Sequence, residues 1–140
     1  MALFLISAVS VSAENMTKNV SPTPWWWDVY SMNTSYFGGR PVSAGSIVRA
    51  YAKNSGVLCG EFKITSSGTY GVMHIYGDDF NTSQIEGAKA GEKVFFTINS
   101  LPAYLKNSSL LPVWKDRGLS QVDLVTFQPK LPVNYLNSLR

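Results

Sequence analysis

The residues best suited to binding or catalysis fall into a few groups. Trp25, Trp26 and Trp27 stand in a row, with Tyr30 close behind and Trp114 far downstream. Broad aromatic faces stack on sugar rings or pack against a protein partner. On a strand, Trp25 and Trp27 face one side and Trp26 the other, so one side can enter the core while the other meets solvent or a partner. These five residues are the candidate interface or ligand platform. Asp78, Asp79, Asn81 and Glu86 crowd one polar stretch and could offer Ca2+ the oxygen ligands it takes. Their spacing is not that of an EF-hand loop, and Asp78-Asp79 after Gly77 also reads as turn chemistry. Five Asn-x-Ser/Thr sequons, at Asn15, Asn19, Asn33, Asn81 and Asn107, lie in polar stretches where an attached glycan would be solvated.

The ingredients of catalysis are sparse. Cys59 is the only cysteine, so no intramolecular disulfide can form, and its run GVLCGEF marks it as a small buried hydrophobe. His74, the only histidine, sits between Met73 and Ile75 and reads as a packed or edge residue. No second His or Cys–His spacing supports a metal ligand. The chain shows no Gly-rich phosphate loop, nucleophile elbow or paired histidines. Glu61 and Asp123 could pair as carboxylates only if the fold brought them together. We therefore expect no enzyme and no cofactor beyond the Ca2+ option.

The elements that position these residues follow from composition and periodicity. The 140 residues suffice for one domain with a core, at 45% hydrophobic and 15% charged. The net charge of +3 is scattered, and the closest basic pair, Lys115 and Arg117, flanks an acid. Nucleic acid would need clustered basic residues, so it is not an expected partner.

Turn chemistry recurs roughly every eight to twelve residues, the rhythm of a sandwich or barrel of short strands. Strands are predicted over residues 24–30, 46–53, 57–65, 69–76, 92–99, 101–105 and 120–127. In the 92–99 run, Val94, Phe96 and Ile98 share one face and Phe95, Thr97 and Asn99 the other. Asn54-Ser55-Gly56 and Ser66-Ser67-Gly68 are tight turns that predict antiparallel hairpins. About seven strands make a two-sheet sandwich. The expected fold is an all-β, Ig-like antiparallel sandwich over residues 24–127.

The ends divide into three further segments. Residues 1–13, MALFLISAVSVSA, are apolar, too short to span a membrane, and finish on small residues as a signal peptide does. If retained, the segment holding Ala8, Val9 and Val11, in which Val9 and Val11 alternate with serines, could donate a strand to a neighbour's sheet edge. Residues 14–23 and 128–140 read as extended tails.

Four runs carry a family resemblance: RPVSAGSIVRAY, GVLCGEFKITSSGTYGVMHIYGDD, EGAKAGEKVFFTIN and LPVWKDRGLSQVDL. Over roughly residues 25–127 they resemble prealbumin-like, carboxypeptidase-regulatory-like and CnaB-type β-sandwich modules of secreted bacterial and archaeal surface proteins. The resemblance implies a structural or adhesive role outside the cell, with no catalytic residues. Some CnaB-type modules carry a Lys–Asn or Lys–Asp crosslink; here the predicted first strand lacks Lys and the last offers Asp123 but no Asn.

Two functions remain open. The first is a structural subunit of a glycosylated extracellular surface assembly, a homopolymer built by strand addition and apolar contacts. The second is a carbohydrate-binding or adhesive module using the tryptophans and tyrosines.

Overall fold

Alternation of apolar and polar side chains dictates the first strand. In β1 (Trp26–Ser31) Trp27, Val29 and Ser31 are buried, while Trp26, Asp28 and Tyr30 lie on the other face and are half-buried. The computed structural model describes residues 19–129, and among them the structure is all β, without helix. After β1 come β2 (Ser35–Tyr36), β3 (Ile47–Ala52), β4 (Leu58–Lys63) and β5 (Tyr70–Tyr76). The chain continues with β6 (Val94–Ile98), β7 (Leu101–Leu105), β8 (Leu119–Gln121) and β9 (Leu124–Thr126).

Two sheets result. The smaller has the order β5-β1-β8 and the larger β2-β9-β7-β6-β3-β4. Between them lie Trp27, Val29, Val48, Met73, Ile75, Val94, Phe96, Ile98 and Leu124, all essentially inaccessible to water. Each such side chain contributes about 1.5–3 kcal/mol through its burial. The predicted alternation of Val94, Phe96 and Ile98 is realised as the inner face of β6. Cys59 is buried with them, its Sγ donating to the Ala50 carbonyl at 3.4 Å, and burial with the nearby Glu92 charge pushes its thiol pKa up.

The topology departs from consecutive hairpins in three places. β3 and β4 form the expected hairpin, but β5 leaves β4 and pairs antiparallel with β1 in the other sheet. The turn at Ser66–Gly68 is thus a step between sheets. β1 and β8 run parallel in the small sheet, and β2 and β9 run parallel in the large one. The predicted strand over 120–127 is therefore two strands, with the change of sheet at Val122 and Asp123. Asp123 Oδ1 accepts the N–H groups of Met32 and Asn33 at 2.8 and 2.9 Å, and Thr34 Oγ1 accepts the Leu124 N–H at 3.1 Å. Those side-chain bonds turn both chain segments around the same corner together. The count among the described residues is nine strands rather than seven.

Close packing of backbone joins the sheets at β4 and β5. A Cβ on Gly60 would stand 2.8 Å from the His74 carbonyl oxygen, so only glycine lets the strands approach there. β6 and β7 are joined by Asn99 and Ser100, both at positive φ, as a two-residue hairpin turn of the primed kind requires.

Candidate functional site

The tryptophan triplet is divided among three environments. Trp27 is buried and its Nε1 donates to Ser120 Oγ at 3.0 Å. Trp26 lies on the outer face of the small sheet, 5.1 Å from the His74 ring and edge-on to Tyr76. The Arg117 guanidinium sits 4.6 Å over the Trp26 ring and donates to the Pro24 carbonyl at 3.1 Å. Asp28, opposite His74 in the β1–β5 register, places Oδ1 against His74 Nδ1. Tyr30 shares this face. Asp28 and His74 are far apart in sequence and their pairing becomes visible only once β1 and β5 are adjacent.

Trp25 precedes β1 and packs partly buried against the core. It meets residues from two distant segments. A cleft of about 580 Å³ is lined by Trp25, Phe80 and Trp114, with Asp78, Lys89 and Asp116 contributing charged groups. Trp25 and Phe80 lie nearly parallel, 17° apart, with ring centroids at 6.2 Å. Trp114 is 5% exposed and its Nε1 donates to the Ile75 carbonyl at 2.7 Å. Trp27 and Trp114 are thus core residues, so of the five candidate platform residues these two offer a partner little or no surface. Only a small part of Trp114 reaches the cleft.

Two glycines create the room. A Cβ on Gly77 would fall 2.4 Å from the Trp114 ring, and one on Gly87 would fall 2.2 Å from the Tyr76 carbonyl oxygen. Their absence of side chain lets the loop ends close through Asp78 N–H to Ala88 C=O at 2.8 Å and Ala88 N–H to Tyr76 C=O at 3.1 Å. Thr23 Oγ1, from the predicted N-terminal tail, donates to the Gly77 carbonyl at 2.7 Å and fixes the chain just before Trp25.

The acidic residues of this loop hold the loop itself. Asp78 Oδ1 accepts the Glu86 N–H at 3.0 Å, Asp79 Oδ1 accepts the Asn81 N–H at 3.0 Å, and Glu86 Oε2 accepts from Thr82 Oγ1 at 2.8 Å. Among the described residues no group of three or more His, Cys, Asp or Glu is placed to hold a metal ion. Asp78 and Asp79 each spend one carboxylate oxygen on a backbone N–H of their own loop and Glu86 accepts from the Thr82 hydroxyl, so the Ca2+ expectation for Asp78, Asp79, Asn81 and Glu86 gains no support here. Glu61 pairs with Arg49, Nε to Oε2 at 2.7 Å, while Asp123 binds the backbone of Met32 and Asn33. They do not form a carboxylate pair.

Asn19, Asn33, Asn81 and Asn107 are exposed outside the strands. Asn15 and the donor-strand candidates Ala8, Val9 and Val11 lie outside the described residues.

A further aromatic surface, unmarked by sequence pattern, lies on the outside of the large sheet. Phe37, Tyr104 and Phe127 are 48%, 39% and 47% exposed. Their rings form a triangle, with Phe37–Phe127 at 5.0 Å, Tyr104–Phe127 at 6.3 Å and Phe37–Tyr104 at 6.5 Å. The three come from separate segments, and only β-pairing brings them together: Phe37 N–H donates to the Thr126 carbonyl at 2.9 Å, and Tyr104 is the register partner of Val125. On the same side of the sheet Tyr51 stacks on its register partner Phe95 at 5.0 Å.

No protein-family model, curated protein or solved structure matches this chain.

Proposed function

We propose that this chain is a non-catalytic structural subunit of an extracellular surface assembly, and that its copies meet through the aromatic outer face of the large sheet. The observation that carries this reading is the exposed Phe37–Tyr104–Phe127 cluster. Three large rings held against one another in water cost free energy that a partner surface would recover, and aromatic clusters of this kind mark interfaces.

The sheet edges shape the mechanism. The outermost strands β2 and β8 have two and three residues, and β4 and β5 press together at Gly60. Short or covered edges disfavour strand addition. The apolar face therefore takes the larger part in the assembly, and any strand donated by Ala8, Val9 and Val11 a lesser one. We read the sandwich as Ig-like, of the prealbumin-like kind, and the exposed sequon asparagines as glycan carriers on a secreted, cell-surface protein.

Light scattering across a concentration series, followed by electron microscopy, tests the proposal. Growth of particle mass with concentration supports it. A monomer at every concentration contradicts it.

A further inference from the structure

We propose that the cleft between the β1 approach and the Asp78–Ala88 loop is a saccharide-binding site, separate from the aromatic sheet face. Aromatic rings and polar groups of both signs converge there. Trp25 and Phe80 line it together with near-parallel rings, and Trp114 adds part of a third. Phe80 is 77% exposed, the most exposed of the large apolar side chains among the described residues. It is displayed on a loop that its own hydrogen bonds hold in shape, through Asp78 to Glu86, Asp79 to Asn81 and Thr82 to Glu86. A preorganised loop binds without the ordering cost that a mobile one incurs.

The polar groups choose the ligand class. The Trp25 indole Nε1 is buried and has no acceptor among the described residues. A buried donor left without a partner costs about 1–3 kcal/mol, so the Trp25 ring is held in the cleft wall at some expense. Asp78 and Asp116 offer acceptors, and Lys89 offers a donor. Sugar rings combine apolar C–H faces with hydroxyls that both donate and accept. That matches a cleft with aromatic walls and mixed donors and acceptors. A purely cationic ligand would meet the aromatic rings and the two carboxylates well, but would be opposed by Lys89. The cleft volume of about 580 Å³ falls in the range of small-molecule sites.

A saccharide reaching the cleft could be a foreign polysaccharide or a glycan carried by another copy of this chain. Asn81 follows Phe80 directly, so a glycan there would stand close by.

Calorimetric titration of the full, unglycosylated chain tests the site. The probes are neutral hexose and N-acetylhexosamine oligosaccharides, with tetramethylammonium as the cationic control. We expect at least one oligosaccharide to bind, Phe80→Ala and Asp116→Asn each to weaken it by roughly tenfold or more, and Leu110→Ser, at an exposed position outside the cleft and the aromatic face, to leave it unchanged. Both cleft side chains are solvent-facing, and a matching thermal midpoint confirms that each variant folds. No binding by any oligosaccharide, binding indifferent to both cleft variants, or a stronger response to tetramethylammonium would overturn the proposal. Repeating the titration on glycosylated protein with and without Asn81→Gln assigns the source. Competition relieved by Asn81→Gln identifies the chain's own glycan, and binding unaffected by it identifies foreign polysaccharide.

Discussion

The phenolic O–H of Tyr70 donates to the carbonyl of Val122 at 2.6 Å, tying the start of β5 to the point where the C-terminal strand pair changes sheets. Both residues are buried, so no water stands ready to replace the lost donor. Tyr70→Phe leaves the Val122 carbonyl unsatisfied and should lower stability by about 1–3 kcal/mol. Burial first, and then the nearby Asp123 charge, push the Tyr70 hydroxyl pKa upward. The neutral phenol is therefore favoured in the native state. Its contribution is complete below the ordinary tyrosine value near 10 and fades as pH rises above it. Chemical denaturation at pH 7 and pH 11 checks this: the wild type should weaken at pH 11, and Tyr70→Phe should lose less.

Asp123 acts on the same corner in the opposite pH direction. Desolvation pushes its carboxyl pKa up, but the N–H groups of Asn33 and Met32, the Gln121 amide and the Lys106 charge outweigh that and hold it below the ordinary value. The depressed native pKa means its stabilisation is present above pH about 4 and lost as pH falls through the native value. The side chain is half-buried and solvent screens its charge, so Asp123→Asn should cost on the order of 1 kcal/mol at pH 7. At pH 2 wild type and variant should converge. Denaturant midpoints at the two pH values measure it.

Gly87→Ala probes the loop closure behind the cleft. The added methyl would meet the Tyr76 carbonyl oxygen at 2.2 Å, and backbone there cannot step aside cheaply. We expect a loss of about 1–3 kcal/mol and faster amide exchange at Asp78 and Ala88, the two donors that close the loop. Normal protection at both amides would show that the loop tolerates the displacement.

The strands were legible where one side of the chain is apolar and the other polar. Turn chemistry and strand-favouring residues located β1, β3, β4, β5 and β7 to within a few residues, and alternation located β6, whose Val94, Phe96 and Ile98 face the core. It failed at the corner. Residues Ser120 to Phe127 read as one strand, with Val122 and Leu124 on one face, yet the chain changes sheets within it. The bonds responsible join Asp123 to Met32 and Asn33, about ninety residues away. No local periodicity encodes them. The burial of Trp114 was not legible for a related reason. Its neighbours Lys115, Asp116 and Arg117 look like a solvent-facing turn, but Gly77 leaves space for the indole beneath Ile75. The tryptophan triplet could be flagged from sequence, whereas Phe80 and the Phe37–Tyr104–Phe127 cluster could not. Each of those rings is an ordinary single aromatic until the strands pair.

The aromatic face of the large sheet carries the central claim, and removing two of its rings tests it most directly. Phe37 and Phe127 are each about half exposed, so Phe37→Ser/Phe127→Ser should leave the fold intact, as an unchanged circular dichroism spectrum would confirm. Sedimentation velocity of the full-length wild type and this variant, over the same concentration range, is the measurement. The account predicts larger species for the wild type, growing with concentration, and a monomer for the variant. A wild type that stays monomeric, or a folded variant that assembles as well as the wild type, would contradict it.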